Sequence, residues 1–205
     1  MSDIFIQLTG LGRASKLKHL WQAPFTLHKQ ILRAIHNEAE QAKGGGKGRI
    51  IAKMNALLEP EVIAALYDAS KAGVEIDLIV RGVCALKPGI TGISENIRVR
   101  SIVGRFLEHS RAFYFHNGGA EDVYLSSADW MDRNFFRRVE LCFPVLDAKL
   151  KKRVINEGLK PYLEDNCQAW EMDQDGQYHL KTPSRGKPQA AQEVLLELLA
   201  RAQTP

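Results

Sequence analysis

The sequence predicts an α/β domain with a mixed β-sheet flanked by helices. Helix and strand patterns alternate over its first half, and several short strand patterns crowd together over its second. The size agrees, since 205 residues are enough for one substantial core with a short appended element.

The elements follow in order. Residues 25–42 (FTLHKQILRAIHNEAEQA) read as an amphipathic helix with Leu27, Ile31, Leu32 and Ile35 as its apolar stripe, and KGGGKG ends it. RIIAKM is a short buried strand. PEVIAALYDASKAG is a helix with Pro60 near its start and Gly73 at its end, and VEIDLIVRG is a second strand. IRVRSIV, AFYF, DVYLS and VELCFPV supply further strands. A helix is expected from Asp147 through Leu159, then a hairpin centred on Asp175-Gly176, a polar linker over 181–189 and an amphipathic helix over 191–202. Residues 1–24 fit poorly, because IFIQL reads as a strand with nothing to pair with. No internal repeat or low-complexity tract appears.

Composition narrows the class. The chain is 45% hydrophobic and 25% charged, ordinary for a soluble globular protein. No apolar run reaches membrane-spanning length and the N-terminus lacks the layout of a signal peptide, so the cytoplasm is the expected location. Cys84, Cys142 and Cys167 are widely spaced without a CxxC, which argues against a disulfide scaffold and a structural zinc site. A net charge of +4 permits an anionic partner without naming nucleic acid.

The residues that can carry chemistry collect at strand ends. In RFLEHSRAFYF, His109 and Arg111 lie two apart, so an extended strand would turn both to one face. An imidazole beside a permanent cation suits phosphoryl chemistry. Arg81 closes the strand VEIDLIV ahead of Gly82, and Lys53 and Asn55 close the preceding one. If these strands are parallel neighbours, the three share a rim at the mouth of the sheet, where such folds place ligands. In SSADWMDRNFFRRVE, Ser126, Ser127 and Asp129 can contact phosphate or orient a bound metal or base, Arg133, Arg137 and Arg138 add charge, and Glu140 can fix an imidazole tautomer. Plainer readings stand beside these: ordinary strand-end charges, a solvated arginine loop, and a core His109 hydrogen-bonded by Glu108 or Glu140. Trp130 and Phe135 either stack on a base or fill the core, with the core favoured for Phe135. The other five histidines lie on the first helix or near loops. There is no GxxxxGK[ST], GxGxxG or HExxH, and Gly44–Gly46 with Lys47 follows a helix rather than a strand.

Long segments, QAPFTLHKQ, RIIAKMNALLE, LYDASKAGVEIDLIVRGVCALKPGITGISENIRVRSIVGRFLEHSRAFYF and YLSSADWMDRNFFRRVELCFPV, carry a close resemblance. Across residues 19–180 the chain resembles the C-terminal portion of bacterial polyphosphate kinase of the first type, whose catalytic half has two domains resembling phospholipase D. The resemblance implies a phospholipase-D-like fold and a division into 1–24 (remnant of the preceding catalytic domain and linker), 25–180 (second phospholipase-D-like domain) and 181–205 (linker and terminal helix). Phospholipase-D-like enzymes carry His-x-Lys and Gly/Ser-Ser-x-Asn elements. Here His109-Ser110-Arg111 has arginine for lysine and Ser126-Ser127-Ala128-Asp129 has aspartate for asparagine, followed by Glu140. These departures disfavour a generic phosphodiesterase and fit the kinase branch.

What the family implies is reversible transfer of the terminal phosphate of ATP to polyphosphate, with Mg²⁺, through a phosphohistidine. It assigns His109 to the second active-site histidine, Arg81 to a phosphate contact, and Lys53 and Asn55 to the KMN element lining the same tunnel. Arg111, Ser127 and Asp129 are assigned to substrate and Glu140 to catalysis by motif. The phosphate-accepting histidine belongs to a His-Pro-Tyr-like motif of the preceding domain, and no such motif occurs here. The chain is therefore expected to be inactive alone, to hold no cofactor tightly and no protein-ligated metal, and to act with ATP or ADP, polyphosphate and the missing catalytic domain. The full-length enzyme is expected to be a homo-oligomer without specific nucleic-acid binding. The alternatives are a non-enzymatic polyanion-binding module and a dimeric phosphodiesterase pairing two His109 residues.

Overall fold

The computed structural model describes residues 17, 19–183 and 187–201, so the expected strand IFIQL lies outside them. Strand β1 (Trp21–Ala23) leads into helix α1 (Leu27–Lys43). Leu27, Ile31 and Ile35 recur at four-residue spacing and are buried together on one face. Glu38 is also fully buried, because its carboxylate accepts the backbone N–H groups of Arg49 and Asn117. Strand β2 (Arg49–Met54) follows the glycine turn. Helix α2 (Pro60–Lys71) opens with a proline whose missing N–H costs nothing there, and the Glu59 side chain accepts from Val62 N at 2.7 Å. Gly73, at φ +92°, turns the chain into β3 (Glu75–Val80). β2 and β3 pair in parallel, as the helical crossover requires.

Strands β4 (Ile97–Ile102), β5 (Arg111–Phe115) and β6 (Asp122–Ser126) come next, then a short helix α3 (Asp132–Phe136) and β7 (Glu140–Pro144). Helix α4 (Ala148–Arg153), a π-helical turn (Val154–Leu159) and α5 (Lys160–Glu164) follow without a break. The helical stretch thus outruns its expected end at Leu159, because Pro161 sits in the first turn of α5, where a proline is tolerated. Strands β8 (Ala169–Met172) and β9 (Tyr178–Leu180) form the expected hairpin, with Gly176 at φ +85°, and α6 (Ala191–Arg201) closes the described chain.

One nine-stranded sheet results, in the order β1-β7-β6-β5-β2-β3-β4-β8-β9. The β2-β3-β4 pairings are parallel and the others antiparallel, which makes the sheet mixed as expected. Alternation along each strand splits the core in two. Ile50, Ala52 and Met54 of β2 and Phe113 and Phe115 of β5 pack with α1 and α2. Ile51, Ala112 and Tyr114 point the other way, with Leu159, Tyr162 and Ala191. Packing crosses the expected boundaries at 24/25 and 180/181, since β1 pairs with β7 and Ala191 is buried at the start of α6. No helix among the described residues is long and apolar enough to cross a membrane.

Candidate functional site

Strand direction gathers the polar residues at one end of the sheet. β2 and β3 run in parallel and end just before Asn55 and Arg81. β5 is antiparallel to β2 and begins at this end with Arg111, β6 finishes opposite it at Ser126, and β7 starts beside them with Glu140. The three exit loops are tied together. Leu57 N donates to Val83 O at 2.9 Å, Ala85 N to Leu57 O at 2.9 Å, and Leu58 N to Trp130 O at 2.9 Å. Trp130, fully buried against Phe113 at 5.0 Å between ring centroids, is part of the core, as is Phe135. The rim is therefore built on ordered backbone, the arrangement a site needs.

A cavity of about 460 Å³ opens on this rim and is lined by Asn55, Arg81, His109, Arg111, Ser127, Asp129 and Glu140, with Arg133, Asn134 and Arg138. Seven of the eight residues to which the resemblance assigns a role thus meet in one place. Lys53 is the eighth and does not line it. Side chains alternate along β2, and Lys53 turns to the α5 face, where its Nζ lies 2.9 Å from Glu108 Oε2, 2.6 Å from Ser110 Oγ and 4.1 Å from the centre of the Tyr162 ring. Burial pushes its ammonium below the ordinary lysine value, and the contact with Glu108 opposes that shift.

Asp129 is the hub. It is 6% exposed and accepts Arg111 Nε and Nη2, each at 2.9 Å, in a forked pair, together with Asn55 N at 2.7 Å. Burial alone would raise its pKa. The Arg111 guanidinium and the backbone N–H of Asn55 outweigh that and hold the carboxyl below the usual carboxylate range. Asn55 in turn accepts Arg81 Nε on its side-chain oxygen at 3.0 Å. The terminal nitrogens of Arg81 have no partner among the described residues. Arg133 and Arg138 are exposed and without ion pairs among them, whereas Arg137 is paired with Asp132 at 3.0 Å on the surface.

Two expectations are corrected. His109 and Arg111 do not share a strand. β2 ends at Met54, so the chain before Arg111 has no partner to pair with, and His109 lies in the loop between β4 and β5, exposed to the cavity. Glu140 does not hold the imidazole either. Its two oxygens accept the Ser127 hydroxyl and, at 2.8 Å, Asn134 Nδ2, and no hydrogen bond reaches the His109 ring among the described residues. Glu108, the other proposed imidazole partner, is turned to Lys53 and to Tyr162 Oη at 3.0 Å. Asn134 went unnoticed in the sequence, since a five-residue helix offers no periodicity to show that it turns inward. The His28 side chain on α1 is 12% exposed, beside Glu59 at 3.1 Å and against Phe135 and Phe136.

Comparison with known proteins agrees with this architecture. Residues 20–192 match the family model of polyphosphate kinase C-terminal domain 2. A polyphosphate kinase of Paraburkholderia phytofirmans is 62% identical over 192 residues, covering 94% of this chain and 28% of the relative. One from Burkholderia cenocepacia is 67% identical over 175 residues, covering 85% of this chain and 26% of the relative. The crystal structure of polyphosphate kinase from Porphyromonas gingivalis superposes with a TM-score of 0.93 at 41% identity, over 98% of this chain and 31% of that one. The chain thus spans under a third of the length of these relatives. A match over residues 20–192, encompassing the whole sheet and every residue of the cavity, means that the chain belongs to the polyphosphate kinase C-terminal domain 2 family.

Proposed function

We propose that this chain is the second phospholipase-D-like catalytic domain of a polyphosphate kinase, and that its cavity holds phosphate groups during reversible transfer between ATP and polyphosphate. The observation that carries this reading is the imbalance of available charge. Arg81, Arg133 and Arg138 offer guanidinium nitrogens to the cavity. The carboxylates there are committed, Asp129 to Arg111 and Glu140 to Ser127 and Asn134. Forked N–H donors match the oxygens of a phosphate chain and spread the charge that builds up as a phosphoryl group moves.

In this reading Arg81 is the main phosphate contact, oriented by Asn55, and Arg111 is fixed by Asp129 and by the His109 carbonyl at the cavity wall, with one N–H on each terminal nitrogen left for the ligand. Asp129 acts on substrate only through Arg111 and the Asn55 backbone. His109 stands where a ring nitrogen can hydrogen-bond a phosphate oxygen and move a proton. Glu140 positions the Ser127 hydroxyl. Lys53 acts indirectly, by holding Glu108 and Ser110 on either side of His109. The phosphorus–oxygen bond to ADP breaks as a nitrogen–phosphorus bond forms on a histidine of the preceding domain, and polyphosphate then takes the phosphoryl group. Because that histidine and the opposite wall belong to the preceding domain, residues 1–205 by themselves bind phosphate chains and do not turn over. The committed carboxylates do not fit a resident magnesium ion, so the metal belongs to the nucleotide substrate. The homo-oligomeric state and cytoplasmic setting belong to the full-length enzyme.

Titration calorimetry with polyphosphate and with Mg-ATP, for the wild type and Arg81→Ala, tests the reading. Saturable binding that the variant loses supports it. Binding of equal strength in both would remove Arg81 from the site, and polyphosphate synthesis by the pure chain would refute the need for a second domain.

A further inference from the structure

His109 sits on a loop that its own side chains do not hold down. Residues 103–110 join β4 to β5 without regular structure, and Val103, Phe106 and Leu107 are 60%, 46% and 78% exposed. Burial therefore contributes little to the order of this segment, and polar contacts must supply it.

Arg111 Nη1 holds His109 O at 3.1 Å, Lys53 holds Ser110 and Val103 N bonds Gln168 O, while the middle of the loop is held by one residue of the terminal helix. Gln192, 4% exposed at the start of α6, accepts the Phe106 N–H on Oε1 at 2.8 Å. Its Nε2 donates to Phe106 O at 2.8 Å and to Glu108 Oε1 at 3.1 Å. The side-chain amide thus satisfies both backbone groups of Phe106 and the carboxylate next to His109. The Lys53 and Tyr162 contacts hold the other oxygen of Glu108 from the opposite side. Gly104 makes room for the clamp, since a Cβ there would sit 2.5 Å from Gln192 Oε1 and 2.7 Å from Gln168 Oε1. The clamp is itself anchored. Asp165, 1% exposed, accepts Ala191 N at 2.7 Å on one oxygen and the N–H groups of Cys167, Gln168 and Ala169 on the other.

We infer that Gln192 is a positioning residue: it fastens the loop of residues 103–110 to the terminal helix and so holds His109 at the phosphate cavity. The functional half of this inference rests on the phosphate reading of that cavity, while the structural half does not. Without the clamp the loop samples open forms, and ligand affinity falls in proportion to the fraction of molecules with the loop in place.

Amide hydrogen exchange at Phe106, together with the NMR response of the His109 ring to tripolyphosphate, tests it in the whole chain at 25 °C. Gln192→Ala should speed Phe106 exchange about tenfold or more, because that amide loses its acceptor. Tripolyphosphate affinity should fall about three- to tenfold, with a smaller His109 shift at equal ligand. Gln192→Met keeps the length and bulk of the side chain but loses all three bonds, so it should release Phe106 as alanine does, and it serves if the alanine variant folds poorly. Phe106 exchange unchanged in both variants would overturn the clamp. Faster exchange with wild-type affinity and His109 response would show a merely structural contact and overturn the positioning role. A wild-type chain that ignores tripolyphosphate would overturn the phosphate reading and the functional half with it, while Phe106 exchange still decides the clamp.

Discussion

Replacing Asp129 by asparagine keeps the shape of the hub and removes its charge. The Arg111 side chain, 9% exposed, then loses its counter-charge, and an NH₂ group can be turned toward the guanidinium and the Asn55 N–H. Breaking a buried ion pair by removing one partner costs on the order of 3–5 kcal/mol. The cavity admits water to one side of Arg111, so the lower end, about 3 kcal/mol, is expected here. For a domain of this size that lowers Tm by roughly 6–12 °C. The effect has a pH signature whose sign follows from the lowered folded-state pKa of Asp129. A carboxyl held below its unfolded value contributes stability above about pH 3.9, and that contribution is lost as pH falls through the folded value. The gap between wild type and Asp129→Asn should be full at pH 7 and close progressively below about pH 4. Urea denaturation across this range measures it. A gap under about 1 kcal/mol at pH 7, or one that persists unchanged at pH 3, would refute the ion-pair account.

Three further outcomes follow from the same structure. Glu38→Ala leaves the Arg49 and Asn117 N–H groups without an acceptor and should cost about 2–4 kcal/mol in urea denaturation. Gly48→Ala puts a methyl group 2.7 Å from Val74 Cγ2 and 3.2 Å from Glu38 O, and should cost about 1–3 kcal/mol by the same assay. Arg81→Ala should weaken tripolyphosphate binding about tenfold or more, a charged forked contact being worth roughly 1.5–3 kcal/mol, while Tm moves by less than about 2 °C.

The sheet was legible because its strands are short apolar runs with clear punctuation: Pro60 and Gly73 bracket α2, and the parallel β2-β3 pair follows from the crossover between them. That pair also explains why Asn55 and Arg81 were found together. Lys53 shares a small pocket with Asn55 and Arg81 but lies outside the larger cavity, and His109 lies off the strand expected for it, for a physical reason each. Lys53 reads as a strand-end cation, yet side-chain alternation turns it to the α5 face, where Glu108 and Tyr162 make a buried ammonium tolerable. The strand expected around His109 depends on a partner, and β2 ends too soon to provide one. Glu38 and Gln192 were illegible for a related reason: each satisfies backbone groups far away in sequence, which no local pattern records.

The central claim is that phosphate chains bind at the end of the sheet, and the chain carries its own competitor. Helix α4 exposes Lys149 and Lys152, with half-buried Lys151 and the Glu157-paired Arg153 beside them, and this basic cluster would attract any polyanion. The most direct measurement is NMR mapping of tripolyphosphate binding at physiological ionic strength, following the arginine Nε–H and histidine ring signals alongside the backbone amides. Saturable changes concentrated at Arg81, His109, Arg133 and Arg138, and needing about tenfold or more ligand in Arg81→Ala, are the predicted result. Changes centred on residues 149–153, fading steeply with added salt and indifferent to Arg81, would contradict it.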